Sequence, residues 1–123
     1  FVNAGCPQPM FKSKSKKKNA ELLLPDEKKP HYGMIGVSGL AVKFQVIKKK
    51  MKPGDVLVLY TDGISETENY NCEPFGKERI MEILNKVEGS AQEIVDAIMQ
   101  NLRDFAAYKK IDDDITILVM KKT

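Results

Sequence analysis

The segment Val56–Tyr60 constrains the fold more than any other part of the sequence. Its five residues are all apolar or aromatic, and the preceding residues 52–55, Lys-Pro-Gly-Asp, have the chemistry of a tight turn. A short continuous apolar run after a turn is typical of a strand that is buried on both faces of a layered structure. We therefore predict that Val56–Tyr60 is a central strand and that the chain packs around it.

Two helices are predicted after this strand. The first spans roughly residues 75–87 and is stopped by Gly89, with a buried face formed by Ile80, Ile83, Leu84 and Val87. The second begins at residues 90–93, Ser-Ala-Gln-Glu, where the serine and glutamate side chains can cap each other's backbone N–H groups in a capping box. The buried face of this second helix is predicted to hold Ile94, Ile98, Leu102 and Phe105.

Further extended segments are predicted at residues 1–4, 9–12, 21–24, 41–48 and 115–120. The second and third of these form a hairpin around a Lys-rich tip, and residues 25–39 form a connecting loop with Met34 and Ile35 inward. In the fourth, alternation predicts that Val42, Phe44 and Val46 face the core, and the last is predicted to be a buried strand. The order of strands, two helices and a strand indicates an α+β fold with mostly antiparallel pairing.

Composition excludes several classes of function. The chain of 123 residues is 42% hydrophobic and 30% charged, which fits one globular domain, and no apolar run approaches the roughly 20 residues that cross a bilayer. Residues 12–18 hold five lysines, and without them the net charge of +3 would be −2, so the basic charge is local. We expect neither nucleic-acid binding nor direct membrane contact. Two widely separated cysteines suggest neither a disulfide framework nor a zinc site, so we expect a cytoplasmic protein.

Two acidic sites adjoin the predicted buried strands. Asp62 follows Val56–Tyr60 and is followed by Gly63, which permits a sharp turn, whereas Asp113 lies between two further aspartates just before the last strand. If these strands are antiparallel neighbours, Asp62 and Asp113 converge at one edge of the sheet. Converging carboxylates favour a hard divalent cation such as Mg²⁺ or Mn²⁺. The alternative is an ordinary strand-ending turn and a solvated acidic loop.

Several motifs, in this order, resemble those of the metal-dependent protein phosphatases, the protein phosphatase 2C-like superfamily. They are Asn-Ala-Gly-Cys-Pro at residues 3–7, Pro-Gly-Asp at 53–55, Tyr-Thr-Asp-Gly at 60–63, Phe-Gly at 75–76 and Asp-Asp-Ile-Thr at 113–116. The likeness is greatest to the SpoIIE-type branch, which includes RsbU-like regulators. It runs from one end of the chain to the other.

This resemblance implies a layered α-β-β-α sandwich with a two-metal Mn²⁺ or Mg²⁺ centre. Asp62 and Asp113 would ligate one of the metals, Asp114 would orient a ligand, and Gly63 would serve the backbone geometry. Thr61 and Thr116 either hydrogen-bond the ligating carboxylates or are plain strand residues. The implied activity is hydrolysis of phosphoserine or phosphothreonine by a metal-activated water, and the implied substrate is a regulatory protein such as an anti-anti-sigma factor.

The resemblance also implies that residues 1–123 are the C-terminal portion of one phosphatase domain. We then expect the other metal ligands to lie in an N-terminal half, and the 123-residue chain alone to be inactive. A missing half would expose a sheet face and edge, so we expect dimerisation or strand exchange between copies. The alternative function is a non-catalytic phosphatase-like scaffold that binds a regulatory partner.

Overall fold

The computed structural model describes residues 1–15, 19–26, 44–107, 109–111 and 113–123, in which the chain forms four strands and three helices. The strands are β1 (Met10–Lys12), β2 (Glu21–Leu22), β3 (Val56–Tyr60) and β4 (Ile117–Lys121). The helices are α1 (Asp62–Ser65), α2 (Gly76–Lys86) and α3 (Ala91–Ala106). The α+β class is confirmed. The short helix α1, which begins within the Tyr-Thr-Asp-Gly motif, is additional to the two predicted helices.

The four strands form one sheet in the order β2-β1-β3-β4, and each neighbouring pair is antiparallel. The bounds of β3 and the pairing of the β1–β2 hairpin confirm the predictions, although β2 is shorter than the predicted segment 21–24. Residues 1–4 form no strand, but Phe1 and Ile47 exchange two backbone hydrogen bonds of 2.9 Å. In the strand order of this sheet, β3 and β4, which adjoin the two acidic motifs, are direct neighbours.

The helices cover one face of this sheet. On that face Val56, Val58 and Tyr60 of β3 are buried against a core that includes Ile80 and Ile98 of the two long helices. On the opposite face the β3 side chains are only half-buried, and in β4 Leu118 is 52% and Met120 41% exposed. The predictions that β3 is buried on both faces and that the last strand is buried are therefore wrong. The reason is that no described strand or helix packs on the second face of β3 and β4.

The predicted strand at residues 41–48 is also wrong in its described part. Apart from the two backbone hydrogen bonds between Ile47 and Phe1, residues 44–48 have no strand character, and Phe44 and Val46, predicted to face the core, are exposed. The Gln45 side chain instead exchanges hydrogen bonds of 2.9 and 3.0 Å with the backbone of Asp26. Residues 41–43, most of the predicted loop 25–39 and the centre of the Lys-rich tip lie outside the described residues.

Side-chain hydrogen bonds cap the start of α3 and the end of α2. The predicted capping box of α3 is confirmed: Ser90 Oγ accepts from Glu93 N at 3.2 Å, and Ser90 N donates to the Glu93 carboxylate at 2.7 Å. At the C-terminus of α2, Lys12 Nζ of β1 donates to three carbonyl oxygens at 2.7, 3.2 and 3.2 Å. Among the described residues, no helix has both the length and the apolar character needed to span a bilayer.

Asp55 connects the hairpin to the start of β3. One carboxylate oxygen accepts from Ser13 Oγ and Lys14 N, both at 3.0 Å, and the other accepts from Lys52 N at 2.8 Å. The residue is buried, and its pKa is lowered below the ordinary 3.8 chiefly by the Lys52 N–H, against an opposing effect of burial. The turn itself is as predicted, since Gly54 has φ +88° and Asp55 N donates to Lys52 O at 3.0 Å.

Candidate metal centre

The two acidic motifs lie at the same edge of the sheet. Tyr60, the last residue of β3, pairs with Ile117, the first residue of β4. Asp62 is two residues beyond this pair on one strand, at the first position of α1, and Asp113 lies four residues before it on the other. The antiparallel arrangement on which the predicted convergence depended is confirmed, and it follows from the apolar pairing of β3 with β4.

Thr61 connects the Tyr-Thr-Asp-Gly motif to the Asp-Asp-Ile-Thr motif by hydrogen bonds. Its N–H donates to Thr116 O at 3.0 Å, its hydroxyl donates to Asp114 O at 3.2 Å, and the same hydroxyl accepts from Thr116 N at 2.9 Å. One of the two expectations was that the threonines hydrogen-bond the ligating carboxylates, but these contacts are all to backbone groups. Thr61 therefore holds the backbone of the segment that carries Asp113 and Asp114, and its hydroxyl bonds to that backbone and not to the carboxylates.

Gly63 allows the closest approach between the two motifs. A Cβ atom at this position would lie 2.5 Å from Asp114 O and 3.6 Å from the Asp113 carbonyl carbon. The positive φ angles among the described glycines are at other positions, so the expected sharp turn is not the reason for glycine here. The reason is steric, because any side chain would push the Asp113–Asp114 backbone away from α1.

The three aspartates are exposed and carry no neutralising partner among the described residues. Asp114 N donates to Asp113 Oδ1 at 2.8 Å, which restricts the orientation of the Asp113 side chain. No described lysine or arginine forms a salt bridge with Asp62, Asp113 or Asp114. Like charges at one sheet edge repel, so the arrangement favours a bound cation.

A cavity of about 200 Å³ lies beside Gly63 and Asp113. Its walls are the loop that follows α1 and the connection from α3 to β4; the lining residues are Gly63, Glu66, Thr67, Glu68, Lys109, Lys110, Ile111 and Asp113. Lys109 Nζ lies 2.8 Å from Glu68 Oε2 and joins the two walls. The cavity therefore lies next to the end of the sheet where Asp62 and Asp113 are found, which we call the acidic edge.

The donor chemistry of this edge fits Mn²⁺ or Mg²⁺, because both ions prefer carboxylate oxygens. However, within the described part of the chain no three His, Cys, Asp or Glu residues are grouped so that they could hold a metal ion. Mg²⁺ takes about six oxygen ligands, some of them waters. Asp62 and Asp113 therefore do not form a complete ligand set with the other described residues.

Sequence reasoning missed the residues that shape the surroundings of the acidic edge. Neither Glu68 nor Lys109 is among the residues that the sequence analysis singled out. The two residues are 41 positions apart and belong to no motif, so no sequence signal indicated their ion pair. The hydroxyl of Thr67, which donates to Gly63 O at 2.6 Å, was also missed, because Thr67 belongs to none of the motifs.

Comparison with known proteins decides the family. The sequence profile of Stage II sporulation protein E (SpoIIE) matches residues 1–123. The chain belongs to the SpoIIE family. Protein IcfG of Synechocystis sp. is 34% identical to it over 77 residues, which is 63% of this chain and 12% of that protein.

Solved phosphatase structures share the fold of this SpoIIE-family chain. The SiaA-PP2C domain of Pseudomonas aeruginosa superposes with a TM-score of 0.74 at 20% identity, over 98% of this chain and 44% of that one. The phosphatase domain of SpoIIE from Bacillus subtilis, in its Mn-presoaked form, gives a TM-score of 0.66 at 20% identity, over 99% and 49% respectively. At this identity the similarity shows the fold, and the four-stranded sheet and its helices match part of a PP2C domain.

The SpoIIE-family chain spans about half the length of the solved phosphatase domains it matches, and about an eighth of the length of protein IcfG. The resemblance to SpoIIE-type PP2C phosphatases that the motifs indicated is thereby confirmed.

Proposed function

We propose that residues 1–123 are the C-terminal portion of a metal-dependent protein serine/threonine phosphatase domain. The observation that carries the proposal is the meeting of two acidic motifs at one sheet edge, Asp62 after β3 and Asp113 before β4, in a chain of the SpoIIE family. Carboxylates gathered there with no neutralising side chain among the described residues suit a cation-dependent reaction better than a structural role.

Asp62 and Asp113 are proposed to ligate one of two Mn²⁺ or Mg²⁺ ions, with the other protein ligands in the half of the domain that this chain does not span. When bound, such ions activate a water and neutralise phosphoryl oxygens. Asp114 orients Asp113 through its backbone N–H. Gly63 and Thr61 keep the two aspartate-bearing segments close, which fixes where the carboxylates can act.

The exposed apolar face of the sheet supports the expected layered sandwich. Leu118 and Met120 are exposed there, and a cavity of about 410 Å³ with an apolar lining extends from Leu59 and Leu118 to Phe1 and Val2. A second sheet of the same domain is proposed to cover this face, because contiguous apolar surface of this kind is costly in water. In the isolated chain we expect a second copy to cover this apolar face, so a homodimer stays a prediction.

The proposed substrate is a phosphoserine or phosphothreonine on a small regulatory protein, such as an anti-anti-sigma factor. The support for it is membership of the SpoIIE family and the open position of the acidic edge. Exposed carboxylates beside an open cavity are accessible to a phosphorylated side chain that projects from a protein surface.

The test is Mn²⁺ binding by calorimetry together with hydrolysis of p-nitrophenyl phosphate, on the protein that contains the complete domain. Asp62→Asn and Asp113→Asn should each weaken Mn²⁺ binding at least about tenfold, because even the partners of metal ligands contribute about 10–100-fold. Both should also abolish hydrolysis. Asp96→Asn is the matched control, since Asp96 is an exposed aspartate on α3.

Absence of Mn²⁺ binding in the unsubstituted protein would contradict the phosphatase proposal. In that case the non-catalytic scaffold becomes the better account, and pull-down of a regulatory protein independent of metal would support it. Equal losses in the Asp96→Asn control would show that the measured effect is not specific to the acidic edge.

A further inference from the structure

The connection between α3 and β4 carries Asp113, and the structure describes all of it except residues 108 and 112. Lys109 N donates to Ala106 O at 2.9 Å, which ties the start of the connection to the end of α3. Ile111 and Ile115 are partly buried against the core on either side of Asp113. Asp113 itself is exposed, so its carboxylate position depends on how this short connection is held.

The opposite wall of the cavity is a well-braced loop. Glu68 and Pro74 form an antiparallel bridge, and Phe75 N donates to Thr67 O at 2.8 Å. Phe75 is fully buried and packs edge-on against Phe105 at a ring-centroid distance of 5.3 Å. The Thr67 hydroxyl donates to Gly63 O, so this loop is fixed to α1, the helix that begins at Asp62.

Lys109 joins the connection to this loop. Its Nζ lies 2.8 Å from Glu68 Oε2 and 3.5 Å from Asn69 O. The segment with Asp62 and the segment with Asp113 are therefore tied at two places, through the Thr61 hydrogen bonds at the sheet edge and through the Lys109–Glu68 ion pair across the cavity.

We propose that the Lys109–Glu68 ion pair holds Asp113 at the distance from Asp62 that metal binding requires. Lys109 and Glu68 are then positioning residues, which act on the metal centre through the chain and touch neither metal nor substrate. The inference rests on the proposed function, because it assigns the pair a role in that same site.

The direction in which one substitution changes the Mn²⁺ affinity distinguishes a positioning role from a direct electrostatic effect. Lys109 carries a positive charge near a proposed cation site, so loss of its charge should by Coulomb's law strengthen Mn²⁺ binding. If the ion pair positions Asp113, the same loss should weaken Mn²⁺ binding instead. Lys110 is the matched control: it is exposed, lines the same cavity and forms no salt bridge with a described residue.

The experiment measures Mn²⁺ affinity and backbone amide exchange in the protein with the complete domain. Lys109→Met should weaken Mn²⁺ binding roughly two- to fivefold, the scale of a half-exposed ion pair. In metal-free protein it should speed exchange of the amides of residues 113–116 by a similar factor. Lys110→Met should leave exchange unchanged and leave affinity unchanged or higher. Lys109→Arg, and the exchanged pair Lys109→Glu with Glu68→Lys, should restore both readouts.

Each outcome bears on one proposal. If the parent protein binds Mn²⁺ and Lys109→Met binds it equally or more tightly, the positioning inference is overturned and the proposed function stands. Failure of the exchanged pair to recover affinity also overturns the inference. If the parent protein binds no Mn²⁺, the proposed function is overturned, and the positioning role falls with it.

Discussion

Replacement of Asp55 by Asn tests the account of how the sheet is held at the end away from the acidic edge. The buried carboxylate accepts three hydrogen bonds, at 2.8, 3.0 and 3.0 Å. An asparagine can turn its oxygen toward Ser13 and Lys14, but its NH₂ group then faces the Lys52 N–H, donor against donor.

The expected loss in the free energy of unfolding is about 2–4 kcal/mol. A hydrogen bond to a charged group contributes about 1.5–3 kcal/mol, and a buried donor left without a partner costs about 1–3 kcal/mol. The variant loses one such bond and weakens two others. This is a large share of the roughly 5–15 kcal/mol that stabilises a typical domain.

The pH dependence of the same variant provides a second check. The pKa of Asp55 is lowered in the folded protein, chiefly by the Lys52 N–H, so the carboxylate contributes stability above its ordinary pKa of 3.8. That contribution is lost as the pH falls through the lower folded-state value. The difference in unfolding free energy between parent and Asp55→Asn should be constant from about pH 5 to 7 and shrink below about pH 4.

Urea denaturation followed by circular dichroism measures both quantities from the midpoint and slope. Asp96→Asn, which removes an exposed carboxylate from α3, is the control and should change the stability by less than about 0.5 kcal/mol. A loss of less than about 1 kcal/mol for Asp55→Asn, or a difference that persists unchanged to pH 3, would refute the reasoning.

Two further substitutions have defined outcomes. Gly63→Ala should destabilise the protein by at least about 1–3 kcal/mol and weaken Mn²⁺ binding, because its Cβ would lie 2.5 Å from Asp114 O; normal stability with normal metal affinity would contradict the steric argument. Lys12→Met should cost about 1–3 kcal/mol in urea denaturation, because it removes the donor to three carbonyl oxygens at the end of α2. The exposed Lys77→Met is its control, and equal stability of the two variants would contradict the capping role.

Local chemistry explains which parts of the fold were predictable. The turn before β3 depends on Gly54, whose φ of +88° is the geometry that the Pro-Gly pair favours. The start of α3 depends on Ser90 and Glu93, which satisfy each other's backbone donors three residues apart. Both features need only neighbouring residues, so they are legible in the sequence.

The predictions failed where burial depends on distant elements. Phe44 and Val46 alternate as a half-buried strand would, yet they are exposed, because alternation describes two faces without identifying which one is covered. Similarly, an apolar run such as β3 predicts burial, but only the helices α2 and α3 decide that one face is fully buried and the other half-buried.

The candidate site divides in the same way. Strand-end logic and motif resemblance singled out Asp62, Gly63, Asp113 and Asp114, and the adjacency of β3 and β4 is confirmed, whereas metal ligation by these residues stays a prediction. The reason for glycine at position 63 became visible only from its contact with the Asp114 backbone.

The sequence by itself determined the turn before β3, the capping box of α3, the bounds of β3 and the order of the acidic motifs. The turn and the capping box depend only on hydrogen bonds and steric limits within a few residues. Only the tertiary structure decided which sheet face is covered, which backbone Thr61 holds, and that Lys109 meets Glu68 from 41 positions away. Those contacts depend on which surfaces exclude water from each other, and that is a property of elements brought together from distant parts of the chain.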